Sequence, residues 1–479
     1  MPDLPDLPDL PDLPDATRLA LAIPADILAL DESQMRRLGY EVVDRVIEHL
    51  TTIGQQRALT TGDLDTLTAQ LGGPIPQQGS PISGNLTTLA DIALANQQHG
   101  EHPRYFARVP GPSSYPAILG EWLATGMQSV ASSWGGGSGP STLETIVCAW
   151  LRDGMGLAPS CEGVLLSGGS MANITAVITA RNFNGPGVIY LSDQTHSSIN
   201  RGLPAIGQPT EHIRILATDD TFRLNPLDLK TAIETDIENG LHPMLVIATA
   251  GTTNTGTVDD LPAIGDICES FKMWLHVDGA YGGPAALCER GRSALPGLDR
   301  ADSFVTDPHK WLFQPYDIAC LFVKTPGALE QTFAMNPEYL KDVSGGAVEM
   351  QNRSLELTRR SRAVKLWLTF RSYGLQTLAD AINRGIGLAE YAQYLVEQDE
   401  RLEVITPAAL GIVTFAGVNA NAADHVRAAA ELTEDGYAVV SSTVLKGRTV
   451  LRLCTINPST STDDIAGTLA RLAQFLSRG

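Results

Sequence analysis

From about residue 115 onward, short apolar strands alternate with helical segments, and that alternation limits the fold more than any other feature of the chain. Gly163-Val164-Leu165-Leu166-Ser167 reads as a strand and Met171 to Arg181 as a helix. Val188-Ile189-Tyr190-Leu191, Met244 to Thr249, Trp274-Leu275-His276-Val277-Asp278 and Ser303-Phe304-Val305-Thr306 continue the series. Nearly continuous apolar strands separated by helices imply an α/β fold with a mostly parallel central sheet covered on both faces. After Leu366 the pattern changes. Ile412-Val413-Thr414-Phe415 and Thr449-Val450-Leu451-Arg452-Leu453 alternate like antiparallel strands, and two helical segments accompany them. Upstream, Leu38, Val42, Val43, Val46, Ile47 and Leu50 fall at helical spacing from a start near Asp31, and a Gly/Pro/Gln-rich link runs from Gly72 to Gly84. Residues 2 to 15 repeat Pro-Asp-Leu, and proline at that density blocks helix and sheet alike. The expected organisation is a disordered or extended arm over 1–30, a helical segment over 31–95, a large domain over 96–370 and a small α+β domain over 371–479.

A formal net charge of −20 over 479 residues argues against nucleic-acid or anionic-membrane partners and otherwise reads as solubility. The six cysteines are scattered, and no Cys/His spacing resembles a metal site, so reduced thiols in a cytoplasmic protein without a metal are expected. No apolar run approaches the roughly 20 residues of a transmembrane helix. The first residues lack the basic region and apolar core of a secretory signal.

Lys310 lies in Asp307-Pro308-His309-Lys310-Trp311 and is one of seven lysines against 27 arginines. An amine can lose its proton and bond covalently to an aldehyde, which a guanidinium cannot do. Asp278 ends an apolar strand and is followed by the small residues Gly279 and Ala280. A carboxylate there can hold a pyridine nitrogen protonated, and Ala280 is small enough to lie flat under a ring. Ser167-Gly168-Gly169-Ser170 joins a strand to a helix, which suits an anion. His196 follows a strand and can stack on a ring, and Thr249 ends another strand. Taken singly, each has a plain structural reading: a solvated lysine, a capping aspartate, a tight turn, a structural histidine. Taken in order, each at or just past a strand end, they point to pyridoxal 5′-phosphate (PLP) as cofactor.

At this point the chain resembles the group II PLP-dependent amino-acid decarboxylases of fold type I, which include aromatic-L-amino-acid and glutamate decarboxylases. The resemblance runs from about Asp31 to the C-terminus. It is carried by His102-Pro103-Arg104-Tyr105-Phe106, Ser113-Ser114-Tyr115-Pro116-Ala117, Asp193-Gln194-Thr195-His196-Ser197-Ser198, His276-Val277-Asp278, Asp307-Pro308-His309-Lys310-Trp311 and Val450-Leu451-Arg452. It implies that Lys310 binds the cofactor aldehyde, Asp278 meets the pyridine nitrogen, His196 stacks on the ring, Gly169 and Ser170 sit at the phosphate, and Thr249, Ala280 and His309 complete the cofactor site. It also implies a homodimer with shared active sites, its N-terminal helices wrapped around the partner, and an L-amino acid as substrate.

Two departures from the family shape the expectations. Many relatives carry a tyrosine in the loop between Asp342 and Arg359 that returns a proton after CO2 has left. Counting back from Arg359-Arg360, the matching position is Met350, whose thioether has no proton to give. Amine release is the expected outcome, and an oxygen-consuming route to an aldehyde is the alternative. The Gly345-Gly346 pair is expected to hinge that loop. The second departure is the substrate pocket. Gly100, Arg108, Val109 and Ser132 stand where aromatic-substrate relatives place bulky rings. With Arg108, Ser132, Met350 and Arg452 as the expected substrate contacts, a polar or acidic amino acid is expected.

Overall fold

The computed structural model describes residues 14–335 and 347–478. The Pro-Asp-Leu repeats up to residue 13 and the expected Gly345-Gly346 hinge lie outside the described residues. The chain forms two compact units, one reaching Gln55 and including Thr60–Gln97, the other made of Gln56–Leu59 and the chain from Gln98 onward.

In the first unit, Asp31 caps the helix Glu32–Thr52 reciprocally. Its carboxylate accepts from Gln34 N at 2.8 Å, and its own N–H donates to Gln34 Oε1. Of the apolar residues that predicted this helix, only Leu38 is buried, while Val42 and Ile47 are exposed. The extended arm expected over 1–30 is corrected here: Asp15–Leu21 is a short helix. No proline falls between Pro14 and Pro24, and the Ala/Leu/Arg-rich segment between them favours helix. The Gly/Pro/Gln link also ends earlier than expected, since Gly84 lies in the helix Ile82–Thr88.

The second unit is built on a seven-stranded sheet. Its strands are β1 (Glu162–Leu166), β2 (Val188–Ser192), β3 (Ile213–Leu216), β4 (Pro243–Thr249), β5 (Trp274–Asp278), β6 (Ser303–Thr306) and β7 (Ala319–Val323). They are ordered β1-β7-β6-β5-β4-β2-β3, and only β7 runs antiparallel to its neighbours. Successive residues of one strand enter opposite apolar layers. Leu165, Tyr190, Val246, Leu275 and Val277 join one cluster, while Val164, Leu166, Ile189, Leu245 and Ile247 join another. Burial of each such side chain contributes roughly 1.5–3 kcal/mol. Two covered faces are the reason these strands read as unbroken apolar runs.

The C-terminal sheet is antiparallel throughout, in the order β10 (Ser441–Leu445), β11 (Arg448–Cys454), β9 (Ile412–Gly417), β8 (Leu402–Ala409). Val413, Phe415, Leu451 and Leu453 pack with Leu432 and Leu469 of the helices Ala422–Asp435 and Thr462–Leu476. The boundary expected at 370 falls inside one helical run, Ala363–Gln398, which breaks at Gly374 (φ 73°, ψ 165°). A left-handed φ of that kind suits glycine, and the break lies a few residues past the expected boundary.

Candidate active site

A cavity of about 480 Å³ opens beyond the C-terminal ends of the parallel strands, where open α/β sheets bind ligands. Ser167–Met171 follow β1, His196 follows β2, Thr249 ends β4, Asp278 ends β5, and Asp307 follows β6; all line the cavity. Gly169, Ser170, His196, Thr249, Asp278, Ala280, His309 and Lys310, the eight catalytic and cofactor residues expected from sequence, are brought together on this one cavity.

Lys310 lies on a one-turn helix, Pro308–Trp311, and its Nζ sits 3.0 Å from Asp307 Oδ2. Burial by itself pushes this ammonium down, but the charges of Asp307 and Asp278 outweigh it and the net shift is upward. The free amine is therefore held charged by Asp307. The next residue upstream, His309, accepts from Ile318 N through Nδ1 at 3.2 Å. Burial lowers its pKa, so the ring is neutral with its hydrogen on Nε2, 3.5 Å from Asp307 Oδ2.

Asp278 is buried, and both its oxygens are engaged. Oδ1 accepts from Ala280 N at 3.0 Å and Oδ2 from Asn173 Nδ2 at 3.1 Å. His196 caps the helix Ser197–Ala205 by accepting from Ser198 N through Nδ1. Desolvation lowers its pKa against the pull of Asp278. The main chain of Thr249 is tied down by Asp259, which accepts Thr249 N at 2.7 Å and Leu224 N at 2.8 Å.

The four expected substrate contacts do not line this cavity. Arg108 is exposed and donates to Gln98 Oε1 at 3.0 Å, rather than to the Glu101 or Glu121 that a structural ion pair would use. Arg452 is buried and donates to the main-chain oxygens of Arg108 (2.6 Å) and Asn254 (3.3 Å). Ser132 accepts Arg359 N at 2.8 Å, and Met350 is fully buried in the turn Met350–Arg353. Sequence reasoning missed Asp307 and Asn173 as site residues. Asp307 stood in the quoted motif without a role. Asn173 lies four residues after Gly169 on the same helix, hence on the same face, and that spacing was the available signal.

The pyridoxal-dependent decarboxylase conserved domain matches residues 69–417. The chain belongs to the pyridoxal-dependent decarboxylase family. It is 39% identical over 453 residues to the aromatic-L-amino-acid decarboxylase of Bacillus atrophaeus, covering 91% of this chain and 94% of that protein. It is 31% identical to the phenylacetaldehyde synthase of a Rosa hybrid cultivar, covering 88% and 90% of the two chains. The crystal structure of Oryza sativa TDC with PLP and tryptamine superposes with a TM-score of 0.89 at 27% identity, over 94% of this chain and 99% of that one.

This decarboxylase is a carboxy-lyase whose cofactor is PLP, and the cavity suits that molecule. Two buried polar atoms lining it, Thr249 Oγ1 and Asp307 Oδ1, have no hydrogen-bond partner among the described residues. A Cβ on Gly169 would come within 2.8 Å of Asp307 Oδ2 and 3.1 Å of the Ala280 methyl. Only glycine lets the start of the helix Gly169–Asn184 approach Asp307 and Ala280 so closely. The described residues contain no helix long and apolar enough to cross a membrane, and all six cysteines are buried free thiols.

Proposed function

We propose that the enzyme removes the α-carboxylate of an L-amino acid as CO2 and releases the amine, with Lys310, Asp278 and His196 touching cofactor or substrate. The observation that carries this reading is the convergence of the eight chemistry-bearing residues on one cavity. PLP, when bound, supplies the electron sink that takes up the electron pair of the broken bond. Ser170 and the first N–H groups of the 16-residue helix Gly169–Asn184 would take its phosphate. His309 stands beside Gly168 with an N–H to donate. Asp278 has lone pairs left for the pyridine N–H after serving Ala280 and Asn173. Lys310 would bond to the aldehyde carbon, and Asp307 receives its ammonium whenever the substrate amine takes its place. His196 is exposed at the mouth, where its Nε2–H can orient the substrate.

The substrate side chain is polar or acidic in this reading. Gly100, Arg108, Val109 and Ser132 stand where aromatic-substrate relatives place bulky rings, and that difference in sequence, not a contact with the cavity, supports it. The relative from Bacillus atrophaeus, named for aromatic substrates, runs the other way. A second reading, oxidative deamination to an aldehyde, is favoured by Met350 and by the similarity to an aldehyde synthase. One assay separates all three: a panel of L-amino acids in aerated buffer, with CO2, amine, aldehyde and peroxide measured. Amine should equal CO2, and kcat/KM for an acidic or polar substrate should exceed that for L-Dopa, L-tyrosine and L-tryptophan by about tenfold or more. Efficient turnover of L-Dopa rejects the substrate reading. Aldehyde and peroxide in place of amine establish the second reading.

The assembly in this reading is a homodimer. Leu119 and Leu123 of the helix Tyr115–Gly126, with Met127 just beyond it, form an exposed apolar stripe at four-residue spacing. The helix Glu32–Thr52 exposes Met35, Tyr40, Val42 and Ile47. Sedimentation should give twice the chain mass, and Leu123→Glu should shift the protein toward monomer with loss of activity. A fully active monomer of the native chain at micromolar concentration excludes the dimer.

A further inference from the structure

Behind Asp278 runs a line of buried side chains that the chemistry above does not use. Asp278 Oδ2 accepts from Asn173 Nδ2 at 3.1 Å. Asn173 Oδ1 lies 2.9 Å from His276 Nε2, and His276 Nδ1 lies 2.8 Å from Ser303 Oγ. Trp274 Nε1 donates to the same Ser303 Oγ at 2.8 Å. All five residues are at most 5% exposed.

Chemistry allows one arrangement of hydrogens. An indole N–H only donates, so Ser303 Oγ accepts from Trp274 and keeps its own hydrogen free to donate. From the other end, a carboxylate only accepts, so Asn173 must turn its NH2 toward Asp278 and its oxygen toward His276. An amide oxygen only accepts, so a neutral His276 carries its hydrogen on Nε2, its bare Nδ1 accepts from Ser303 Oγ, and every bond donates in the direction of Asp278. Burial pushes His276 down to about 4, in keeping with a neutral ring carrying one N–H.

The backbone builds this line. Residues 274, 276 and 278 alternate onto one face of β5. Ser303 is the register partner of His276 on β6, and Asn173 comes from the helix Gly169–Asn184. The final torsion of an aspartate is broad, so its carboxylate needs hydrogen bonds to set its plane.

We propose that Asn173 and His276 are positioning residues which, with Ser303 and Trp274, form a one-directional hydrogen-bond relay aiming the Asp278 carboxylate at the pyridine nitrogen of PLP. This inference rests on the reading of Asp278 as the partner of that nitrogen.

The test is reconstitution with PLP labelled with 15N in the ring. The 15N resonance reports whether the nitrogen is protonated, and titration gives the Kd for PLP. Asn173→Leu and His276→Leu should move the resonance toward the unprotonated position and raise Kd about tenfold to a hundredfold, the scale of one lost charge-assisted hydrogen bond or outer-shell contact. His276→Gln keeps one N–H and one acceptor and should recover most of both readouts. A native resonance and Kd in His276→Leu overturn the relay, and so does a glutamine variant no better than leucine, which would leave only packing. If the leucine variants do not fold, Ser303→Ala removes a single hydroxyl and should shift both readouts in the same direction; native values there overturn the proposal. Asp278→Asn separates the two levels. If it leaves the resonance native, the underlying reading fails and the relay with it. If it alone moves the resonance, only the relay fails.

Discussion

Lys310→Arg abolishes turnover and removes the cofactor adduct that borohydride would otherwise trap. A guanidinium stays protonated and cannot bond to an aldehyde carbon, while it can still pair with Asp307, which lies 3.0 Å from the native Nζ. The variant should therefore fold, and the loss should be chemical. The expected fall in kcat is about 10⁴-fold or more, as for removal of a covalent nucleophile. A peptide map of the reduced native protein should carry the pyridoxyl group on Lys310. Lys365 is the natural control. It is also buried, and burial lowers it to about 7. Its Nζ donates to the main-chain oxygens of Pro315 and Asp317 and pairs with Glu121 at 2.9 Å, and it is not among the residues lining the cavity. The adduct on Lys365, or on any lysine but Lys310, would overturn the assignment.

Asp278→Asn should lower kcat by about 10²- to 10⁴-fold at saturating PLP, because a neutral amide cannot stabilise the positive pyridine nitrogen on which the electron sink depends. The shape of the side chain is kept, and its oxygen can still accept from Ala280 N. The amide of Asn173 loses its acceptor, a local cost of about 1–3 kcal/mol. Circular dichroism should be native and the melting temperature somewhat lower. A variant running within a few-fold of the native rate removes Asp278 from the chemistry.

What could be read from the chain followed from burial. Strands covered on both faces keep their apolar character at every position, so β1, β2, β4, β5 and β6 stood out as runs. Where a strand meets water, that signature fades. β3 is one edge of its sheet, is only partly buried, and carries Arg214 and the exposed Ile215. β10 is an edge reading Ser-Ser-Thr-Val-Leu with Val444 exposed, and β8 is only partly buried. None of these three was anticipated, and neither was β7, although every residue of that strand is buried.

The cofactor residues were legible for a related reason. Each polar group interrupts or directly follows an apolar strand, and parallel strands bring their C-terminal ends to one rim. Order along the chain was enough to gather Gly169, His196, Thr249, Asp278 and Lys310. The line from Trp274 to Asn173 could not be read in that way, whereas the ion pair of Asp307 with Lys310 is local, three residues apart within one motif. The contacts of that line depend on β5 lying beside β6 in a particular register and on one helix crossing their face. The substrate side depends on tertiary structure even more strongly. Arg452 and Ser132 carry suitable chemistry, but main-chain groups of Arg108, Asn254 and Arg359 occupy them. Strand ends and their polar residues are local properties of the sequence, whereas the partner that satisfies each buried donor or acceptor is settled by which segments the fold brings within hydrogen-bond reach.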